Sequence, residues 1–168
     1  MLSAHLVRMV EQHADKLTDE LVDDIQRNER TPAFRPVSRD QLRPQILRFY
    51  HHLGEWLSER SETIVEESFE NLGRDWYHRH VPLEQLLWAL TLTKQHLRER
   101  IRGAGALYSS VELHNEIQIG MAIGRFFDHV LYAVVKAYEE ERRQGNPPKG
   151  PVPTFDVGTG QSRINWVP

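Results

Sequence analysis

The chain has 168 residues, which suit one domain with a full hydrophobic core and are too few for two ordinary domains. Its formal net charge is only -3, with acids and bases interspersed, so we expect no basic surface for nucleic acid. Cysteine is absent, which excludes disulfides and thiol chemistry, and no apolar run suits a signal peptide or a membrane span, so we expect a cytoplasmic protein.

The first two helices are predicted from apolar residues that recur at helical spacing. Helix one covers about residues 3–27, and two prolines then interrupt the pattern within residues 28–36. Ser38-x-x-Gln41 is a capping box, which predicts the start of helix two. Pro44 lies beyond the first turn of that helix, so we expect a kink or a short preceding turn there.

Helices three and four are predicted to meet at Pro82. The residue before a proline disfavours helical geometry, so helix three, which starts near Glu62, ends just before this position. Pro82 is predicted as the first residue of helix four, with Glu84 in the first turn at the positive end of the helix dipole. A leucine-rich face and Gly103 define the rest of helix four.

Trp88 and Leu92 are the candidate interface residues. They lie one turn apart on helix four, away from its core leucines and among polar residues. Aromatic anchors are enriched at protein interfaces, so this pair is expected to contact a second copy of the chain. The alternative is that another segment of the same chain, such as residues 28–36, covers both side chains.

The last helix is predicted over residues 111–143, with Ser110 as its N-cap, and the bundle is organised around it. Its apolar residues form two adjacent stripes, which cover more than half of the circumference and predict a helix that is covered on two sides. Phe127 and Leu131 are expected at the middle of the buried face. The first stripe is Leu113, Ile117, Met121, Gly124, Phe127, Leu131, Val134 and Tyr138, and the second is Ile119, Ile123, Phe126, Val130, Ala133 and Ala137.

The whole pattern predicts an all-α, single-domain bundle of about five main helices over residues 1–144. Residues 145–168 are rich in proline and glycine and poor in large apolar side chains. Such a segment buries too little surface to offset its ordering entropy, so we interpret it as a flexible tail. Gly120-x-x-x-Gly124 in the last helix is interpreted as a place where another helix crosses closely.

Several short motifs resemble one known family. They are the run GRDWYHRHVPLEQLLWAL from Gly73 to Leu90, Asn28 with Thr31-Pro32, Leu53-Gly54, and Arg125-Phe126-Phe127-Asp128 followed by Tyr132 and Tyr138. Together, over about residues 1–143, they are similar to the N-terminal sensor domain of RsbR-type (RsbRD) co-antagonists, stress-signalling proteins of the bacterial stressosome. The resemblance implies a globin-like domain, normally without haem, that dimerises and passes a signal through its last helix.

The resemblance therefore implies a non-catalytic signal-input or protein-interaction module with a second copy and a regulatory protein as partners. Two features depart from the family pattern. The family tends to have glycine where this chain has His80. Its members also continue into an anti-sigma-antagonist domain, whereas a proline-rich segment follows here, which leaves the effector open.

Haem is the first alternative for a relative of the globins. Aligned on Val81-Pro82, the haem ligand position of globin-coupled sensors falls on Trp76. His78 and His80 are near this position but displaced from it, and an iron requires one correctly aimed imidazole in a large pocket. We expect no cofactor; a haem-binding gas sensor would use His78 or His80 as its ligand.

A metal site and histidine phosphotransfer are further alternatives. On a regular helix His78 and His80 point nearly opposite ways, because two residues turn by about 200°. No Glu-x-x-His pair is present either, so we expect no metal site. His51-His52-Leu53-Gly54 is similar to the histidine, leucine, lysine, glycine run of phosphotransfer modules but lacks the lysine that would pair with a phosphoryl group. No enzyme is predicted.

Overall fold

The computed structural model describes residues 2–59, 62–103, 110–145 and 147–149. Throughout these residues the regular structure is helical, which confirms the predicted all-α fold with five main helices. A short 3-10 helix lies between the first two. The helices are α1 (Leu2–Arg27), the 3-10 helix (Pro32–Phe34), α2 (Arg39–Glu59), α3 (Glu62–His78), α4 (Leu83–Gly103) and α5 (Ser110–Arg143).

The prolines at the starts of α2 and α4 have different surroundings. Pro44 lies inside α2, which begins at Arg39, so no separate turn precedes it; its missing N–H removes a single backbone hydrogen bond near the exposed start of the helix. Pro82 lies just before α4 and does not form its first turn. Its carbonyl oxygen accepts hydrogen bonds from the N–H groups of Gln85 and Leu86 at 3.0 and 3.1 Å, so it acts as the N-cap. Glu84 lies in the first turn as predicted.

Helix α3 ends in a Schellman turn, whose two defining bonds are both present. The N–H of His80 donates to the carbonyl of Tyr77 at 3.0 Å, and the N–H of Val81 donates to the carbonyl of Trp76 at 3.1 Å. His80 occupies the left-handed position, with φ of 58°. This geometry accounts for the glycine that the resembling family has there, because a side chain at positive φ is strained.

The ion pairs between helices give their directions. Arg39 pairs with Asp23, and Arg43 pairs with Asp15 at 2.6 Å, so later residues of α2 meet earlier residues of α1 and the two helices are antiparallel. On α3 and α5 the partners advance together. Glu66 meets His129, Glu70 meets Lys136, and His78 meets Glu141, so these two helices run parallel.

Close packing of α3 against α5 depends on Gly73. An added Cβ at this position would lie 2.5 Å from the carbonyl oxygen of Val134, which is a backbone atom of α5. Above this contact the core is aromatic. The ring of Phe49 lies 5.3 Å from Phe69, 5.4 Å from Phe126 and 5.3 Å from Phe127 between centroids, distances typical of edge-to-face and tilted pairs.

The buried face of α5 follows the second predicted stripe. Ile123, Phe126, Val130, Ala133 and Ala137 are fully buried, and so are Phe127 and Val134 from the first stripe. Leu131 and Tyr138 of the first stripe are half-buried and pack against the core. The prediction was wrong for Ile117 and Met121, which are 53% and 51% exposed. The remaining helices pack on one side of α5, and no described element covers the other side.

The predicted tail lies almost entirely outside the described residues, which stop at residue 149. The tail begins just after α5 with Gly145, which has a positive φ of 65°. No helix in the described ranges has the length and the apolar character needed to cross a membrane.

Candidate functional site

The turn between α3 and α4 is the first candidate, because the haem alternative places its ligand there. Trp76 is 2% exposed, and its ring lies 4.8 Å from that of Phe34. The guanidinium of Arg79 lies over the indole, 5.3 Å from the ring centroid. The indole therefore occupies the interior at the position that aligns with a haem ligand.

Both candidate haem histidines lie away from this interior. Nε2 of His78 lies 3.4 Å from a carboxylate oxygen of Glu141, at the surface between α3 and α5, and its Nδ1 has no hydrogen-bond partner. His80 is half-buried in the left-handed position of the turn. An iron ligand needs an imidazole nitrogen aimed at the haem, whereas Nε2 of His78 faces Glu141 and the interior position holds the Trp76 indole. The residues present do not fit a haem.

The proposed interface pair has a different environment from the one expected. Leu92 is 8% exposed and belongs to the core cluster, so it does not lie on an outer face. Trp88 is half-buried, and Arg30 lies 4.2 Å from its ring centroid as a cation–π contact. Arg30 belongs to residues 28–36, so the geometry follows the alternative in which that segment covers Trp88. A hydrogen bond also joins residues 28–36 to α4, because the backbone N–H of Ala33 donates to the side-chain oxygen of Gln85 at 2.7 Å.

The outer face of α5 is the surface that these helices leave open. Within the described ranges the exposed large hydrophobic side chains are Ile117, Met121 and Tyr132, at 53%, 51% and 60% exposure, and all three lie on α5. Arg125 and Asp128 are exposed between them. We call these five residues the outer face of α5. An exposed group of apolar side chains of this kind is typical of a surface that binds another protein.

A family comparison decides the identity of the domain. The model of the RsbT co-antagonist protein rsbRD N-terminal domain matches residues 15–146. The chain belongs to this RsbRD N-terminal domain family. The match contains all of α2, α3, α4 and α5 and the second half of α1, so it covers most of the bundle described above. Comparisons with curated proteins and with solved structures give no significant match.

In this RsbRD N-terminal domain, a charged network lines the joint between α3 and α5. Glu70 accepts a hydrogen bond from Lys136 at 2.9 Å and one from Arg74 at 3.1 Å. The bond from Lys136, followed by that from Arg74, lowers the pKa of the Glu70 carboxyl below its ordinary value although partial burial opposes the shift. One turn earlier, Nδ1 of His129 lies 2.8 Å from Glu66. These contacts join the two parallel helices α3 and α5.

The histidines considered for other chemistry are also paired with carboxylates. His51 and His52 lie 3.4 and 3.0 Å from Glu55 on the same helix. A phosphoryl group on either imidazole would meet a negative charge where a phosphotransfer site needs a cation. Among the residues that the structure describes, no group of three or more histidine, aspartate or glutamate side chains is arranged to hold a metal ion.

The sequence prediction placed an interface on α4 and did not single out the outer face of α5. The signal was present, because the apolar arc of α5 exceeds half of its circumference and implies cover on two sides. We assigned both sides to the same chain. Only one of them is covered by described residues, and Ile117 and Met121 lie on the other.

Proposed function

We propose that this RsbRD N-terminal domain is a non-catalytic input module of bacterial stress signalling. In this proposal the domain is a cytoplasmic homodimer that transmits its signal by binding a regulatory protein. The family supports the regulatory role, since its description names a co-antagonist protein of RsbT. The interaction role rests mainly on one structural observation, which is the apolar outer face of α5.

The chemistry of the described side chains is consistent with this role. Trp76 fills the interior where a globin sensor would present its iron ligand, and the nearby histidines pair with carboxylates or lie in the turn. The outer face of α5, in contrast, combines exposed apolar side chains with one cation and one anion. Such a mixture is typical of a surface that binds another protein.

A stress reporter in the organism that encodes the chain tests the signalling role. We expect deletion to change the threshold or the onset of stress-induced transcription, and the wild-type protein supplied in trans to restore it. An unchanged reporter under heat, salt and solvent stress would contradict the proposal. The matched spectroscopic control is a haemin titration of the purified protein. An intense absorption band at the violet edge of the visible spectrum, distinct from that of free haemin, would favour a gas sensor instead.

A further inference from the structure

A row of cations runs along the second half of α4. Lys94, Arg98 and Arg102 follow one another at steps of four residues. At about 100° per residue, the three side chains therefore lie within about 80° of one another on one side of the helix. Arg98 and Arg102 are exposed, and Lys94 is half-buried. We call these three side chains the basic row of α4.

The described residues do not balance the charge of this row. Like charges four residues apart on a helix repel each other and destabilise it. In the described part of the chain no carboxylate lies within ion-pair distance of the row, and the Lys94 ammonium lies 5.6 Å from the centroid of the Phe127 ring. The helix dipole favours a cation in the last turn, which accounts for Arg102. Lys94 and Arg98 lie before that turn, so two repulsive pairs remain on the surface of α4.

An acidic row with the same spacing shows how this protein balances such a pattern elsewhere. Asp15, Asp19 and Asp23 follow one another at steps of four residues on α1. Arg43 of α2 contacts Asp15 at 2.6 Å and Asp19 at 3.1 Å. Arg39, also on α2, pairs with Asp23. An adjacent helix thus supplies the opposite charges, whereas the described residues supply none to the basic row of α4.

We propose that the basic row of α4 binds an acidic helix of the regulatory protein partner, which presents carboxylates at steps of four residues. This inference rests on the proposed function and specifies the chemistry of the partner's surface. Successive turns of the two helices then form successive ion pairs, because both rows have the same spacing. A second copy of the chain does not offer its own acidic row, since α2 already pairs with it.

The size and surroundings of the row favour a protein over nucleic acid or an anionic membrane. Three cations at this spacing span only about 12 Å, and the chain as a whole has a net charge of -3. Glu99 is exposed beside Arg98, and Glu84 is exposed on the same helix, so both would repel an extended polyanion. A single acidic helix matches the length of the row and leaves both glutamates in water.

A synthetic peptide probe tests the proposal with the full chain. The probe is an alanine-rich helical peptide that carries three glutamates at steps of four residues, and its control has glutamine at the same positions. In fluorescence anisotropy at low salt we expect the glutamate peptide to bind at least about tenfold more tightly. High salt should remove the difference, because it screens exposed charges. Equal binding of the two peptides overturns the proposal, and tighter binding of a DNA duplex or of anionic lipid vesicles overturns the choice of occupant.

Charge reversal locates the site. Arg98→Glu should weaken binding of the glutamate peptide at least about tenfold. The variant should keep the helical circular dichroism of the wild type, because it turns both repulsive pairs of the row into attractive ones. Arg48→Glu on α2 is the matched control, since Arg48 is also exposed and has no carboxylate partner among the described residues. This control should bind like the wild type, and an equal loss in both variants places the site elsewhere.

The stress reporter separates this inference from the proposed function. A deletion without effect contradicts the signalling role itself. If deletion changes the reporter and Arg98→Glu reproduces that change, the partner contact on α4 is supported. If deletion changes the reporter and Arg98→Glu behaves like the wild type, only the inference about the basic row of α4 is overturned.

Discussion

Gly73→Ala should destabilise the protein although alanine is the better helix former. An alanine Cβ would lie 2.5 Å from the carbonyl oxygen of Val134 and 3.2 Å from that residue's C and Cα atoms. All three obstacles are backbone, so no side-chain rotation relieves the contact, and α3 and α5 must separate locally by roughly 1 Å to reach ordinary van der Waals distance. Overpacking of this kind costs about 1–3 kcal/mol, occasionally more, whereas the helix propensity of alanine returns about 1 kcal/mol.

We therefore expect Gly73→Ala to lower the free energy of unfolding by about 2 kcal/mol, because a fixed backbone clash lies at the upper end of that range. Gly120→Ala is the matched control. Its Cβ meets nothing within 4 Å, so the variant should gain about 0.5–1 kcal/mol. Urea denaturation followed by circular dichroism measures the free energy of unfolding of both variants and of the wild type. A Gly73→Ala protein as stable as its parent would refute the close approach of α3 and α5.

Three further predictions concern single positions. His80→Gly should raise the free energy of unfolding by about 0.5–1 kcal/mol in urea denaturation, since it removes a side chain from a positive φ. Tyr50→Phe should leave stability at pH 7 unchanged or raised, because the buried hydroxyl has no hydrogen-bond partner. Burial raises the Tyr50 pKa in the folded state, so the wild type should lose stability above about pH 10 and the variant should lose less. Lys136→Gln should flatten the acid side of the stability profile between about pH 5 and 3. The lowered pKa of Glu70 means that its contribution is present above the unfolded pKa and is lost as pH falls through the folded pKa.

Helix positions were largely predictable because local physics determines them. Alternation of apolar residues and the capping box at Ser38 placed the helices within a few residues of their bounds in the structure. The break at Pro82 was also located, but its role was wrong by one residue. A proline can serve as the first helical residue or as the cap, and only the hydrogen bonds to its carbonyl distinguish the two.

The faces of the helices were less predictable, because exposure depends on which other elements are near. Leu92 looked external on a helical wheel, yet it is buried in the core. Trp88 also looked external, yet the Arg30 guanidinium covers its ring. Conversely, Ile117 and Met121 looked like core residues and face outward. A periodic pattern shows that a face needs cover, but it does not show whether the same chain or another chain supplies it.

The parallel course of α3 and α5 brings the end of α3 beside the end of α5. The hydroxyl of Tyr138 donates to the carbonyl of Val81 at 2.9 Å, and Val81 itself closes the Schellman turn on Trp76. If the last turns of α5 unfold, the α3–α4 turn loses its hydrogen bond from Tyr138. If that turn opens, the end of α5 loses the same hydrogen bond. Residues 79–81 and 138–143 should behave as one cooperative opening unit, whose amide protons exchange with a common free energy.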